Sequence, residues 1–365
     1  MKVPFLDVRS AYIELKSEID EAVSRALDSG WYIFGEEVAR FERSFADYTG
    51  TRFAIGVGNG LDALRIALMA MGVSEGDEVI VPSNTYIATW LAVTQCGAHP
   101  VPVEPDANTL NIDPQRIEQA MTSKTKVILP VHLYGLPAQM GPILELARRK
   151  GVRVLEDGAQ AHGARYRGEL IGGHGDAVTW SFYPGKNLGA FGDAGGVTTN
   201  DAELAEQIRT IANYGSKVKY VNEVCGVNSR LDPLHAAALS VKLPHLEEWN
   251  TRRVQIAEYY QRHLQNTSVR VPVSPPDCVS SWHLFPVFSR RRDALQARLK
   301  EAGIETLIHY PIPPHLQQAY RFLGYEKGAF PIAEAMAETE LSLPIGPHMT
   351  LEQAAYVCEI IAGFE

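Results

Sequence analysis

The feature that most constrains the fold is a rhythm. Between residues 53 and 199, short runs rich in Val and Ile alternate with helix-length segments. The runs are FAIGV, EVIVP, PVPVEP, KVILPV, VRVLED, DAVTWSF and GGVTTN, and segments such as LDALRIALMAMG and ILELARRKG lie between them. Runs this short and this continuously apolar bury both faces. They predict an α/β protein with a mostly parallel central sheet covered by helices. Ahead of the sheet, apolar spacing predicts one helix through Ile13, Leu15, Ile19, Val23 and Leu27, stopped by Gly30. A second carries Val38, Phe41, Phe45 and Tyr48 and stops at Gly50, with the aromatic loop SGWYIFG between the two.

At 365 residues and 45% hydrophobic content, the chain is long enough for two domains. We expect a large one over 1–248, including the N-terminal helical segment, and a small C-terminal α/β one over 249–365. The latter reads as a helix over Arg252–Leu264, a strand at WHLFPVF, a helix at RRDALQARLKEAG, and a strand at IETLIHYPIPPH that enters a stiff loop.

The net charge of -9 argues against a general nucleic-acid surface, so a phosphate ligand must be drawn by a local site. Four scattered cysteines without CxxC spacing read as free thiols in a reducing compartment. The N-terminus lacks a signal-peptide pattern and no apolar run is long enough to span a bilayer. A cytoplasmic location without membrane contact is the expectation. His132, His162, His174, His309 and His315 are scattered and no HExxH occurs, so no metal site is expected.

The chemistry concentrates between Val154 and Gly196. Asp157 ends the run VRVLED, and residues just past a strand's carboxyl end face the ligand crevice of such a sheet. Lys186 follows the next run, within SFYPGKNLGAFGDAGG, where glycines permit tight turns around an amine. Burial there would favour the neutral amine that a Schiff-base lysine requires. Gly58-Asn59-Gly60-Leu61 forms a strand-to-helix turn whose free amides suit a phosphate, and Ser181 adds a hydroxyl. Tyr86, past EVIVP, offers an aromatic face. Together these describe a pyridoxal 5'-phosphate site. Asp157 would hold the ring nitrogen protonated, and Lys186 would hold the aldehyde and then move a proton.

At these residues the chain resembles the DegT/DnrJ/EryC1/StrS family of sugar aminotransferases. The likeness runs through PFLDV, VGNGLDAL, VPSNTYIAT, VHLYG, EDGAQAHGA, SFYPGKNLGAFGDAGG, GVNSRLDPLHAA, HYPIPPH and LPIGPHMT. The resemblance implies the aspartate-aminotransferase-like fold (type I of the pyridoxal-phosphate enzymes), that cofactor, and a homodimer with shared active sites. It implies that Lys186 is the Schiff-base lysine and Asp157 the partner of the ring nitrogen. Gln160 would sit beside the cofactor hydroxyl, and Tyr86 would stack on the ring. Gly60, Leu61 and Ser181 would hold the phosphate, which Asn228 would reach from the other subunit. Gly60-Leu61 replaces the Thr-Asp or Thr-Ala step of many members, losing a side-chain hydroxyl.

The lysine loop and NYGSKVKYVNEVCGVNSRLD are similar to those of enzymes acting at C3. The expected reaction therefore moves an amino group from L-glutamate to C3 of a dTDP-3-keto-6-deoxyhexose. The product is a dTDP-3-amino-3,6-dideoxyhexose, and Tyr183, His309 and Tyr310 are candidate sugar or nucleotide contacts. Two alternatives stand beside it: a C4 aminotransferase of a 4-keto-6-deoxyhexose, and a non-enzymatic regulator that retains the fold.

Overall fold

The computed structural model describes residues 1–364. Each Val/Ile-rich run between 53 and 199 becomes a strand of one seven-stranded sheet. The strands are β1 (Phe53–Val57), β2 (Glu78–Pro82), β3 (His99–Val103), β4 (Thr125–Ile128), β5 (Arg153–Asp157), β6 (Ala177–Ser181) and β7 (Gly195–Thr199). Their spatial order is β1-β7-β6-β5-β4-β2-β3. Strands β3, β2, β4, β5 and β6 pair in parallel, while β7 runs antiparallel to both β6 and β1. Two apolar clusters fill its two sides. Val38, Phe41, Phe45, Ile80 and Trp180 belong to one; Leu64, Leu68, Val79, Trp90 and Ile208 belong to the other.

The reversed β7 decides where the loop before it lies. A parallel neighbour requires a crossover along a face of the sheet, but an antiparallel one can be joined at the same end. The loop 182–194 therefore stays at the carboxyl edge of β6, and Lys186 stays with it. Gly195 is the first residue of β7 and pairs with Val57 on one side and Ser181 on the other. A Cβ there would lie 2.4 Å from the Asn59 carbonyl carbon, so only glycine lets the turn after β1 close over the strand. The next turn residue, Gly60, is as tightly held: a Cβ on it would stand 2.7 Å from that of Ser181.

The N-terminal periodicity yields two helices, not one. Val8–Glu14 and Lys16–Asp28 meet at Leu15, whose backbone leaves the helical region at φ -113, ψ 24. Ile13 and Leu27 are consequently exposed, while Leu15 and Ile19 pack against Ala238 and Trp249. The third helix, Glu36–Thr49, ends at Gly50 in the left-handed region as expected.

The helix expected from Arg252 begins earlier, at Leu246, and runs to Leu264. Its first residue belongs to a sheet-side core, while Ile256, Ala257 and Tyr260 belong to a third core. That third core is built mainly from residues 254–364, with Val3 inserted from the N-terminus. Its sheet is a single antiparallel pair, Phe285–Phe288 with Glu340–Leu343. The stretch IETLIHYPIPPH is not a strand. It forms only isolated bridges, Ile304 to Val3 and Leu307 to Ser342, and the prolines that follow cannot supply ladder amides.

Gly195→Ala is expected to cost about 1–3 kcal/mol through overpacking against backbone. Thermal unfolding of the unliganded variant and its phosphate affinity should both decline, because the displaced segment is the Asn59–Gly60 turn.

Candidate active site

The carboxyl ends of β1, β6 and β5 carry the predicted site residues in the order the sheet dictates. The helix Gly60–Ala70 starts after β1. Its Asn59 cap accepts from the Asp62 amide at 2.8 Å. Among the described residues the amides of Gly60 and Leu61 donate to no protein group, and Ser181 lies directly against Gly60. A helix start with free amides beside a hydroxyl is an anion cradle.

Asp157 is buried at the end of β5. Its Oδ1 accepts from the Ala159 amide at 3.1 Å, and its Oδ2 from the Thr89 hydroxyl at 3.0 Å. Burial pushes the carboxyl's pKa up, while these donors and the nearby Lys186 charge pull it down. The net shift is upward, as for a buried carboxylate that still lacks a full counter-charge.

Lys186 is half-buried, and its amide donates to the Tyr183 carbonyl at 2.8 Å. Desolvation brings its amine down to about 8, against the raising effect of Asp157. Near neutrality the neutral, nucleophilic form is therefore far better populated than on an exposed lysine. The loop is fixed by Asn187, whose Nδ2 donates to Asn250 Oδ1 and to the Ser281 carbonyl, both at 2.8 Å.

Gln160 Oε1 accepts from the Tyr134 amide at 2.5 Å and its Nε2 donates to the Tyr310 hydroxyl at 3.0 Å. The Tyr86 ring, 54% exposed, leans against Tyr310 with centroids 5.1 Å apart. His309 is half-buried beside Phe5 and Tyr310. Burial and the Lys186 charge hold its pKa down at about 4, so it is neutral. Tyr183 is 59% exposed at the mouth of the lysine loop.

Thus Gly60, Leu61 and Ser181 form one group. Asp157, Lys186, Gln160, Tyr86, His309 and Tyr310 are joined to one another by bonds, ring contacts or mutual charge effects. Asn228 is different. It is exposed, and among the described residues its side chain makes no hydrogen bond. Its neighbour Ser229 accepts from the Gly58 amide at 2.9 Å, at the foot of the same turn.

Two contributors were not singled out from sequence, and a third, His162, was named there only among the scattered histidines. Thr89 was hidden in a helix, its hydroxyl 2.9 Å from that of Thr85 in the turn before the helix starts. Tyr134, in VHLYG, reaches Gln160 by its amide and the His309 carbonyl by its hydroxyl. His162, in EDGAQAHGA, lies against Trp180 and Phe182 and is held at about 3 by burial and Lys186.

The pieces fit a flat, phosphorylated, cationic ring. A cradle at Gly60 admits no larger residue, a buried carboxylate is short of positive charge, and a low-pKa amine and an exposed aromatic ring stand nearby.

Such a site on such a sheet defines an amino-group-transfer enzyme of the α/β type. The chain belongs to the DegT/DnrJ/EryC1/StrS aminotransferase family, whose profile matches residues 14–362. It is 53% identical over 98% of both chains to the erythromycin biosynthesis sensory transduction protein EryC1 of Saccharopolyspora erythraea. It is 52% identical, again over 98% of both, to the dTDP-3-amino-3,6-dideoxy-alpha-D-galactopyranose transaminase of Aneurinibacillus thermoaerophilus. With the dTDP-3-amino-3,4,6-trideoxy-alpha-D-glucose transaminase of Streptomyces venezuelae it shares 51% over 99% of this chain and 95% of the relative. Among solved structures, S. venezuelae DesV in complex with a ketimine intermediate superposes with a TM-score of 0.97 at 51% identity, covering 99% of this chain and 98% of that one. NtdA from Bacillus subtilis with bound cofactor PMP gives 0.91 at 33% identity over 99% and 84%. The aminotransferase fold expected from the motifs is the fold observed.

Thr89→Val removes a donor from a buried carboxylate and is expected to cost about 1–3 kcal/mol. The sign follows from linkage. Asp157's folded pKa is already raised and the substitution raises it further, so the loss is present at neutral pH and fades as Asp157 becomes protonated in acid. Melting temperatures of both proteins across pH check this. The Lys186 amine sets a second expectation: unliganded enzyme should capture pyridoxal phosphate faster as pH rises through about 8, then level off. Growth of visible absorbance reports the capture.

Proposed function

We propose that this chain is a pyridoxal-phosphate-dependent aminotransferase that moves the amino group of L-glutamate to C3 of a dTDP-3-keto-6-deoxyhexose. The observation that carries the reading is the low-pKa Lys186 amine beside the buried Asp157 carboxylate. The reaction class draws on the family, and the C3 assignment on the two dTDP-3-amino-sugar transaminases at 51% and 52% identity.

Bound here, pyridoxal phosphate supplies an aldehyde that exchanges amines and a ring that takes up an electron pair. The protein's own groups do the rest. Gly60, Leu61 and Ser181 hold the phosphate, with Asn228 reaching it from a second copy of the chain. Asp157 keeps the proton on the ring nitrogen, and Thr89 and Ala159 keep Asp157 ionised and aimed. Tyr86 covers one face, while Gln160, fixed between Tyr134 and Tyr310, takes the ring hydroxyl. Lys186 gives up its place to an incoming amine and then carries a proton between carbon atoms, a task suited to a group that titrates near working pH. Tyr183, His309 and Tyr310 line the sugar side.

The same reading makes the protein a homodimer with shared sites in the cytoplasm. It divides the chain near residue 249, inside the helix that joins two cores. A second reading, a regulator that retains the pocket, draws on the name of the erythromycin relative; Lys186 beside Asp157 counts against it.

Turnover with glutamate and a 3-keto or 4-keto dTDP-sugar, followed by NMR of the product, tests the proposal. The expected result is an amine at C3, with both visible colour and turnover lost in Lys186→Ala. Amination at C4 alone would refute the C3 assignment. A wild-type protein that stays colourless with added cofactor would support the regulator.

A further inference from the structure

Behind the sugar side lies a buried relay. Residues 307–310 run beside the strand Glu340–Leu343, tied to it by backbone bonds between Leu307 and Ser342 at 3.3 and 2.8 Å. The His309 amide donates to Glu340 Oε2 at 2.6 Å. The Ser342 hydroxyl sits between two groups, 2.5 Å from Glu340 Oε1 and 2.9 Å from His309 Nδ1. Glu340 and Ser342 are both 0% exposed. Among the described residues His309 Nε2 has no hydrogen-bond partner, and it is not one of the buried polar atoms left without one.

Proton counting then leaves two arrangements. A backbone amide only donates, so Oε2 accepts in both. When Glu340 is ionised, Ser342 donates to Oε1 and its oxygen accepts from Nδ1–H, which leaves a bare lone pair on Nε2. When Glu340 is protonated, Oε1–H donates to Ser342, Ser342 donates to Nδ1, and the ring proton moves to Nε2. We infer that Glu340 and Ser342 are positioning residues that set the tautomer of His309, and so decide whether the histidine offers the sugar nucleotide a donor or an acceptor. The sugar part of this inference rests on the function proposed above.

The charged and titratable surroundings permit the change. Burial raises the Glu340 carboxyl to about 8, opposed by Ser342, the His309 amide and Arg292. Arg292 approaches from its own helix and donates to the Glu340 carbonyl at 3.1 Å. Tyr134 and Tyr310 face the carboxyl from the site and stay neutral, their pKa values raised chiefly by burial. On the paired strand, Phe288 stands opposite and carries no charge. His309 itself is neutral throughout, so only the location of its proton changes.

The chemical consequence has a sign. A sugar hydroxyl can meet either tautomer, but a ketone oxygen can only accept. The Nε2–H form therefore suits a keto-sugar, and KM for that substrate should rise about tenfold as pH passes Glu340's ionisation. In Glu340→Gln the amide oxygen takes the His309 N–H and the NH2 donates to Ser342, which locks the Nε2–H form. Its KM should lack the Glu340 step. Lys186 titrates in the same range, but it is present in both proteins, so the difference isolates Glu340.

The test uses full-length, cofactor-loaded enzyme with 15N-labelled histidine, the His309 signal being assigned with His309→Asn. Across about pH 6–10, Nε2 of the wild type should change from protonated to unprotonated. In Glu340→Gln it should remain protonated. Ser342→Ala, which cuts the relay, should show no tautomer change with pH even if Glu340→Gln fails to fold. A His309 tautomer that is constant in the wild type, or a change that persists in Ser342→Ala, overturns the relay. A tautomer change with no matching KM step retains the relay but overturns its role in reading a keto-sugar. Because the NMR needs no substrate, a mistaken substrate assignment is told apart from a mistaken relay.

Discussion

Everything at the site depends on the antiparallel turn of β7. Had the strand after β6 run parallel, its connection would have crossed a face of the sheet and carried Lys186 away. Instead the loop 182–194 stays at the edge where Asp157 ends β5, one strand over, and where Gly60 follows β1, two strands over. The glycine that opens β7 lets the turn at Asn59 approach within backbone contact. One reversal therefore aligns an anion cradle, an amine and a carboxylate along a single rim, at the end of a sheet where α/β proteins hold their ligands.

Burial then tunes what the reversal has gathered. The same desolvation that brings the Lys186 amine down to about 8 also raises Asp157 and keeps His162 and His309 neutral. The effects have opposite sign for acids and bases but a common result, which is to disfavour charge in a crevice screened from water. A cationic ring beside Asp157 and an amine joined to it relieve both costs together. The site is thus electrostatically incomplete by itself, and its affinity for a cofactor is in part the recovery of that deficit.

The central sheet was legible because its signal is local: seven Val/Ile-rich runs gave seven strands. Asp157 and Lys186 were legible because each follows such a run. What escaped depended on partners far apart in the chain. Thr89 bonds Asp157 across 68 positions, and the Tyr134 hydroxyl meets the His309 carbonyl across 175. No periodicity reports such pairs. The break at Leu15 was missed because apolar spacing continues through it and only the backbone angle changes. The stretch before His309 read as a strand because its residues favour one, but it forms only isolated bridges at Ile304 and Leu307, and its proline-rich continuation cannot extend a ladder. Asn228 is exposed and joins none of the contacts that tie the other site residues together.

The first few residues are more than a leader to the helices. Val3 pairs with Ile304 and sits in the C-terminal core, and Phe5 lies on the ring of His309. Val3 and Phe5 are therefore a clasp that closes over the C-terminal core. Val3 must wait for residues 254–364 before it is buried, and the wall beside the crevice is finished only when they have assembled. A protease that clips between Asp7 and Val8 would leave the large sheet whole yet unfasten that wall.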